Sequence, residues 1–246
     1  MQVAGRTVLI TGGKRIGATV AVELAKQGAD VAVSYWQSRA EAEQVVADVE
    51  ACGRRAIAIH ADLRCAPECR KLVQRVVETF GRLDALVAMA SLYAEVPFDQ
   101  LTEQEWQTHL ATDLSASFFC ASAAAPHMRR QGAGRIVFFA DSEAASGRPR
   151  HKGYLSYFVA KSGVIALARA LALELAADKI LVNTLALGPI LPASDACEEE
   201  TAAVARATPL GCWGGAAEVA KGVVQLMASD YITGELIRLD GGRHLL

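Results

Sequence analysis

Seven short apolar runs alternate with helical patterns along this chain, and that alternation constrains its fold more than any other feature. The runs fall at residues 7–10, 31–33, 56–59, 85–89, 135–139, 180–186 and 235–239. Between them apolar residues recur at helical spacing, as in Ala42, Val45, Val46 and Val49, or Leu72, Val73, Val76, Val77 and Phe80. Two longer helical stretches are expected at about 102–130 and 155–177, and a last helix at 218–228. Runs that are apolar throughout are the mark of strands covered on both faces. The expected fold is therefore α/β: a doubly wound, seven-stranded parallel sheet with helices on both faces. Nothing reads as a linker, so residues 1–246 are expected to form one domain. Residues 188–215 are the least regular stretch, with Pro189, Pro192, Pro209 and the run Glu198-Glu199-Glu200. Their length suggests a substrate lid rather than a plain connection.

Charge and composition remove several function classes. Twenty-five Lys and Arg against 27 Asp and Glu leave a formal charge of -2, so no net field draws nucleic acid or an anionic membrane. No apolar run reaches the ~18 residues of a membrane span. Residues 1–6 lack the basic start and long apolar core of a signal peptide, which sets a cytoplasmic expectation. The six cysteines are scattered, and Cys65-x3-Cys69 has no second pair to complete a metal site, so no metal is expected.

The turn after the first run reads Thr11-Gly12-Gly13-Lys14-Arg15-Ile16-Gly17. Glycines let a backbone turn tightly beside a pyrophosphate, and the helix that follows offers free N–H groups. The strict G-x-G-x-x-G spacing fails at Lys14, but the position after the first strand is the one such a turn needs. Dinucleotide folds that prefer NAD place a carboxylate after the second strand. Here that stretch is Ser34-Tyr35-Trp36-Gln37-Ser38-Arg39, and the first carboxylate is Glu41. Cations at Lys14, Arg15 and Arg39 with nearby hydroxyls suit a 2′-phosphate, which favours NADP(H).

Tyr157 and Lys161 stand four residues apart at the start of a helix and so share one face. A phenol titrates near ~10 and becomes a useful acid–base group when a cation stabilises its phenolate. Lys161 is that cation, and it can also hold a ribose.

With these landmarks the chain resembles the short-chain dehydrogenase/reductase family over essentially its whole length. Thr11-Gly12 with Gly17, Ala61-Asp62-Leu63, Tyr157/Lys161, Val182-Asn183, Gly188-Pro189 and Leu239-Asp240-Gly241-Gly242 carry the likeness. The resemblance implies a Rossmann fold, a nicotinamide cofactor, no metal, and a homotetramer or homodimer. It implies adenine contacts at Asp62 and Leu63, nicotinamide contacts at Gly188 and Ile190, and further cofactor contacts at Gly12, Lys14, Arg15, Ile16, Gly17, Ser34, Tyr35, Trp36, Ala90, Ser91, Tyr157 and Lys161.

The departures from the family pattern are specific. The glycine loop is one residue short, and Arg15-Ile16-Gly17 resembles a pteridine-reductase-like branch. Ala88-Met89-Ala90-Ser91 replaces Asn-Asn-Ala-Gly, and Asp113 replaces the asparagine of the proton relay, where it would hold a water. Asp141 falls on the serine position, with Ser142 as the alternative, because the interval to Tyr157 is about three residues longer than usual. The extra basic loop, 147–153, is either a solvated turn or an element that meets a substrate anion or a neighbouring subunit. Tyr93, Phe98, Leu191 and Trp213 are candidate pocket walls. The expected activity is NADPH-dependent reduction of a C=O or C=N bond in a small molecule, with Tyr157 as proton donor. A pterin or cyclic imine is slightly favoured over a 3-oxoacyl thioester or plain ketone, since the Asp141 carboxylate suits N–H groups. The alternative is a protein that keeps the fold and cofactor but has lost turnover.

Overall fold

The computed structural model describes residues 1–193 and 196–246. In chain order, β1 (Thr7–Thr11) leads to α1 (Ile16–Lys26), β2 (Asp30–Tyr35) to α2 (Arg39–Ala51), and β3 (Ala56–His60) to α3 (Ala66–Phe80). Strand β4 (Ala85–Ala88) is followed by α4 (Glu103–His109) and α5 (Ala116–Gln131), and β5 (Gly134–Asp141) by α6 (Ser142–Ser146) and α7 (Leu155–Leu175). Strand β6 (Ile180–Leu187), α8 (Glu198–Arg206), α9 (Ala216–Ala228) and β7 (Leu236–Leu239) complete the order. All neighbouring strands run parallel in the order β3-β2-β1-β4-β5-β6-β7. This is the doubly wound, seven-stranded Rossmann-type sheet expected from the alternation of runs.

Successive residues of one strand face opposite layers, which explains why the strands are apolar at every position. Val8 and Ile10 of β1 pack with Val20 and Leu24 of α1, Val45 and Val49 of α2, and Val219 and Val223 of α9. Leu9, between them, packs on the other side with Leu72 and Val76 of α3, Ala124 and Met128 of α5, and Val164 and Ala168 of α7. Truncating a fully buried member such as Leu9 to Ala costs about 2–5 kcal/mol.

The helix anticipated over 102–130 is present as one continuous helical stretch from Glu103 to Gln131, widened by a π turn at Leu110–Ser115. A capping box on Thr102, which exchanges hydrogen bonds with Glu105, starts it. The wider turn leaves the run of small apolar residues undisturbed, so periodicity gave no sign of it. It carries Asp113 into complete burial.

After β3 the chain crosses to the far side of β1, so β1 and β4 part their helices to opposite faces. Their carboxyl ends open a crevice there, the place where such sheets hold ligands. No described helix is long and apolar enough to cross a membrane.

Candidate active site

The crevice is built around close backbone approach. Thr11 Oγ1 accepts the N–H groups of Met89 and Ala90 at 3.1 and 3.2 Å, pinning the end of β4 to that of β1. Gly12 turns with φ +82°, and a Cβ on it would stand 3.2 Å from Ala90. A Cβ on Gly17 would stand 2.1 Å from the carbonyl oxygen of Gly12, so only glycine lets α1 start this close to the turn. Arg15, at φ +52°, occupies the N-cap position without a side-chain cap; the Gly17 N–H donates to the Lys14 carbonyl at 3.1 Å, which leaves the Ile16 and Ala18 N–H groups for an anion.

The cations foreseen for a phosphate are differently engaged. Lys14 pairs with Glu41 at 3.0 Å, and this holds the exposed Glu41 carboxyl below its usual range. Arg15 reaches across the crevice and donates to the carbonyl of Pro192 at 2.5 Å. At the ends of β2 and β3, Ser34 is buried, Tyr35 meets His60 edge-on, and Trp36 stacks on His60 with centroids 5.0 Å apart. Arg64, which sequence reading passed over, lies 5.6 Å over Trp36 and forks onto Asp62 with bonds of 2.8 and 2.7 Å. That hydrogen bonding lowers the Asp62 carboxyl. Leu63 accepts from the Cys69 thiol at 3.3 Å. Ser34, Tyr35, Trp36, Asp62 and Leu63 thus form a separate group from the deeper cavity.

That cavity holds about 610 Å³ and brings together Gly12, Lys14, Arg15, Ile16, Gly17, Ser91, Asp141, Ser142, Tyr157, Lys161, Gly188 and Ile190. Leu191 and Trp213 line it as expected, and Trp213 is fixed by its indole N–H donating to Thr201 at 3.0 Å. A second cavity of about 680 Å³ lies outside it, walled by Tyr93, Phe98, Tyr154 and Phe158. Tyr93, Asp141, Glu143, His151 and Tyr157 line both, so the two meet at Tyr157. Tyr93 stacks on Tyr154 at 4.6 Å and meets Tyr157 edge-on at 5.0 Å. Burial, then Tyr154, pushes the Tyr93 phenol up.

Asp113 and Lys161 form one buried group. Asp113 was expected to hold a water. Its carboxylate accepts from the Ser91 hydroxyl and from the backbone N–H of Leu92 at 3.2 Å, and pairs with Lys161 Nζ at 3.1 Å. A carboxylate satisfies a buried ammonium directly, where an amide would leave room for an intermediary. Lys161 was expected to lower the Tyr157 phenol. Burial pushes that phenol well above its ordinary value, with Asp141, Asp113, Tyr93 and Glu143 adding to the effect. Lys161 Nζ sits 5.6 Å over the Tyr157 ring, already neutralised by Asp113 and donating to the Phe139 carbonyl at 3.3 Å.

Asp141 ends β5 opposite Leu187 in register and caps α6, accepting from the Glu143 N–H at 2.6 Å. Burial raises its carboxyl, toward the form that can donate a proton. Ser142, one residue on, is also buried and lines only the inner cavity. Most of the basic loop is tied inward. Glu143 accepts from the Arg150 N–H at 2.8 Å and meets His151 Nδ1 at 2.6 Å, while Lys152 lines the outer cavity. His151 brings the basic loop to both cavities, while Glu143, Tyr154 and Arg243 were missed by sequence reading. Their place at the site follows from the loop before α7 and the turn after β7, which no spacing rule connects.

Comparison with known proteins agrees with this geometry. A family described as enoyl-(acyl carrier protein) reductase matches residues 12–244. The chain is 36% identical over 246 residues to a Staphylococcus aureus protein named 3-oxoacyl-[acyl-carrier-protein] reductase FabG, covering 98% of each. It is 32% identical to a hydroxynaphthalene reductase of Aspergillus fumigatus, covering 96% of this chain and 91% of the relative. Among solved structures, a Burkholderia cenocepacia short chain dehydrogenase in complex with NADP superimposes with TM-score 0.90 at 33% identity, covering 99% of each chain. A short-chain dehydrogenase/reductase from Serratia marcescens gives 0.91 at 30% identity, covering 99% of this chain and 100% of the other.

Proposed function

The chain belongs to the short-chain dehydrogenase/reductase family, and we propose that it is a reductase of a carbonyl group in a small molecule, with NADPH as its reductant. The observation that carries this reading is Tyr157 at the junction of two cavities, with Lys161 one turn along and the glycine turn opposite. When bound, the nicotinamide supplies the hydride that reduces the substrate carbon.

The residues present fit such a cofactor. The glycine turn and the start of α1 would hold a pyrophosphate, Gly188 and Ile190 would hold the nicotinamide, and Lys161 would hold its ribose. Arg64 over Trp36 joins Lys14 and Arg15 as cations for a 2′-phosphate. Residues 188–215, of which Gly188, Leu191 and Trp213 line the cavity, would act as the lid.

Tyr157 Oη gives its proton to the oxygen that becomes the product hydroxyl, and regains one from solvent afterwards. The raised phenol suits this direction, because a donor must arrive protonated. Asp141 or Ser142, which both line this cavity, positions the substrate atom. The relatives named 3-oxoacyl-[acyl-carrier-protein] reductase support a carbonyl substrate over a pterin or imine. Asp113 is a positioning residue: it holds Lys161 in place from behind the cavity.

Loss of nicotinamide absorbance with NADPH against a panel of ketones, 3-oxoacyl thioesters, quinones, imines and dihydropterins tests the reading. Turnover on carbonyls that Tyr157→Phe removes, with NADPH binding retained, is the expected result. Cofactor binding without turnover on any member would place the protein among those that keep the fold for binding alone.

A further inference from the structure

The reading above leaves one charged side chain in the cavity without a task. Arg243 lines the inner cavity with Tyr157, Asp141 and Trp213. Its Nη1 is closed off from solvent and finds no partner among the described residues, and its side chain makes no hydrogen bond or ion pair to any of them. Arg54, which also leaves one buried nitrogen bare, pairs with Asp30 through Nη2 at 2.7 Å. Arg243 has no such partner among the described residues; its side chain is half-buried, and the enclosed Nη1 without an acceptor carries a desolvation cost.

Its backbone is held firmly. Asp240 accepts from the N–H groups of Gly242 and His244 at 3.0 Å each and meets His244 Nδ1 at 2.8 Å. The Arg243 N–H donates to the Asp240 carbonyl at 3.1 Å, and the Arg243 carbonyl accepts from Arg150 at 3.2 Å. The turn also carries Gly241 and Gly242 in left-handed backbone, φ +61° and +85°, packed on Thr208 and Pro209 beyond α8. A rigid mount with an unsatisfied charged head facing a ligand cavity is what recognition of an anion needs.

The neighbouring carboxylates do not serve as that anion. Glu143 is taken by Arg150 and His151, Asp141 by the Glu143 N–H, and Glu200 by the N–H of Cys197 at 3.2 Å. They do limit the charge that can enter, since a dianion would meet more repulsion than a monoanion. A planar fork of donors matches a carboxylate in particular.

We propose that Arg243 binds the carboxylate of the substrate, so that the natural substrate is a free oxo acid rather than a neutral ketone or thioester. This rests on the reductase reading and narrows it. The experiment compares acetoacetate with methyl acetoacetate, and levulinate with methyl levulinate, as NADPH-dependent substrates of the whole protein. Wild type is expected to favour the acid in at least one pair by roughly ten- to a hundredfold in kcat/KM, the worth of a charge-assisted hydrogen bond. Arg243→Met should bring that ratio to about one, and Arg243→Lys should leave it between. A wild-type preference for the ester in both pairs overturns the proposal, and so does a ratio that Arg243→Met leaves unchanged. Should Arg243→Met fold poorly, the wild-type ratio and Arg243→Lys decide. Should no probe turn over, the NADPH-loaded protein is titrated with acetoacetate by cofactor fluorescence. Binding weakened in Arg243→Lys then upholds the carboxylate site while the reductase reading falls, and absence of binding overturns both.

Discussion

Removing the Lys161 ammonium should damage stability as well as chemistry, because it strands a buried charge. Asp113 is wholly buried and Lys161 nearly so, with Nζ 3.1 Å from the carboxylate. At an effective dielectric of about 20, two unit charges at that distance attract by about 5 kcal/mol. Desolvation of both groups offsets much of this, so the pair itself contributes little net stability. Breaking it is another matter. Lys161→Met leaves Asp113 with only Ser91 and the Leu92 N–H, and an uncompensated buried charge costs about 3–5 kcal/mol. For 246 residues, unfolding entropy of about 2.1 cal/mol/K per residue converts this to a fall in Tm of roughly 6–10 °C. Adding Asp113→Asn to Lys161→Met removes the stranded charge and should restore most of the loss. Urea unfolding of wild type, both single variants and the double variant gives the four corners of the cycle. A loss below about 1 kcal/mol in Lys161→Met, or no recovery in the double variant, would refute the direct ion pair and return Asp113 to the water-holding role.

Gly17→Ala should abolish detectable NADPH binding by fluorescence titration, since its Cβ would fall 2.1 Å from Gly12 O and force the turn away from α1. Asp141 carries a raised carboxyl, so the folded state binds its proton more tightly than the unfolded chain does, and stability contributed by that proton is lost as pH rises above the ordinary 3.8. Asp141→Asn should therefore unfold at higher urea than wild type at neutral pH, with the gap closing toward pH 4, and its rate should lose the alkaline decline that ionisation of Asp141 imposes. Light scattering should give a homodimer or homotetramer rather than 26.1 kDa, because Phe118 on α5 and Leu173 on α7 leave apolar surface open at 44% and 82% exposure beside runs of small residues.

The apolar runs and their helical partners were enough to specify the sheet, its parallel sense and the crevice after β1. Burial on both faces acts on every residue of a strand, so it is written into local composition. The glycine turn and the Tyr157–Lys161 spacing were legible for the same reason, since each is a local requirement of backbone approach or helix pitch. The state of those groups was not local. Asp113 meets Lys161 from a π turn packed under α7, and the Tyr157 phenol is raised first by burial and then by Asp141 and Asp113. Lys14 meets Glu41, and Arg15 meets Pro192, across gaps of 27 and 177 residues that no periodicity spans. Arg243 comes to the cavity from beyond the last strand, carried by the Asp240 turn. Charge interactions depend on distance and burial in three dimensions, and these were decided only when the chain had closed on itself.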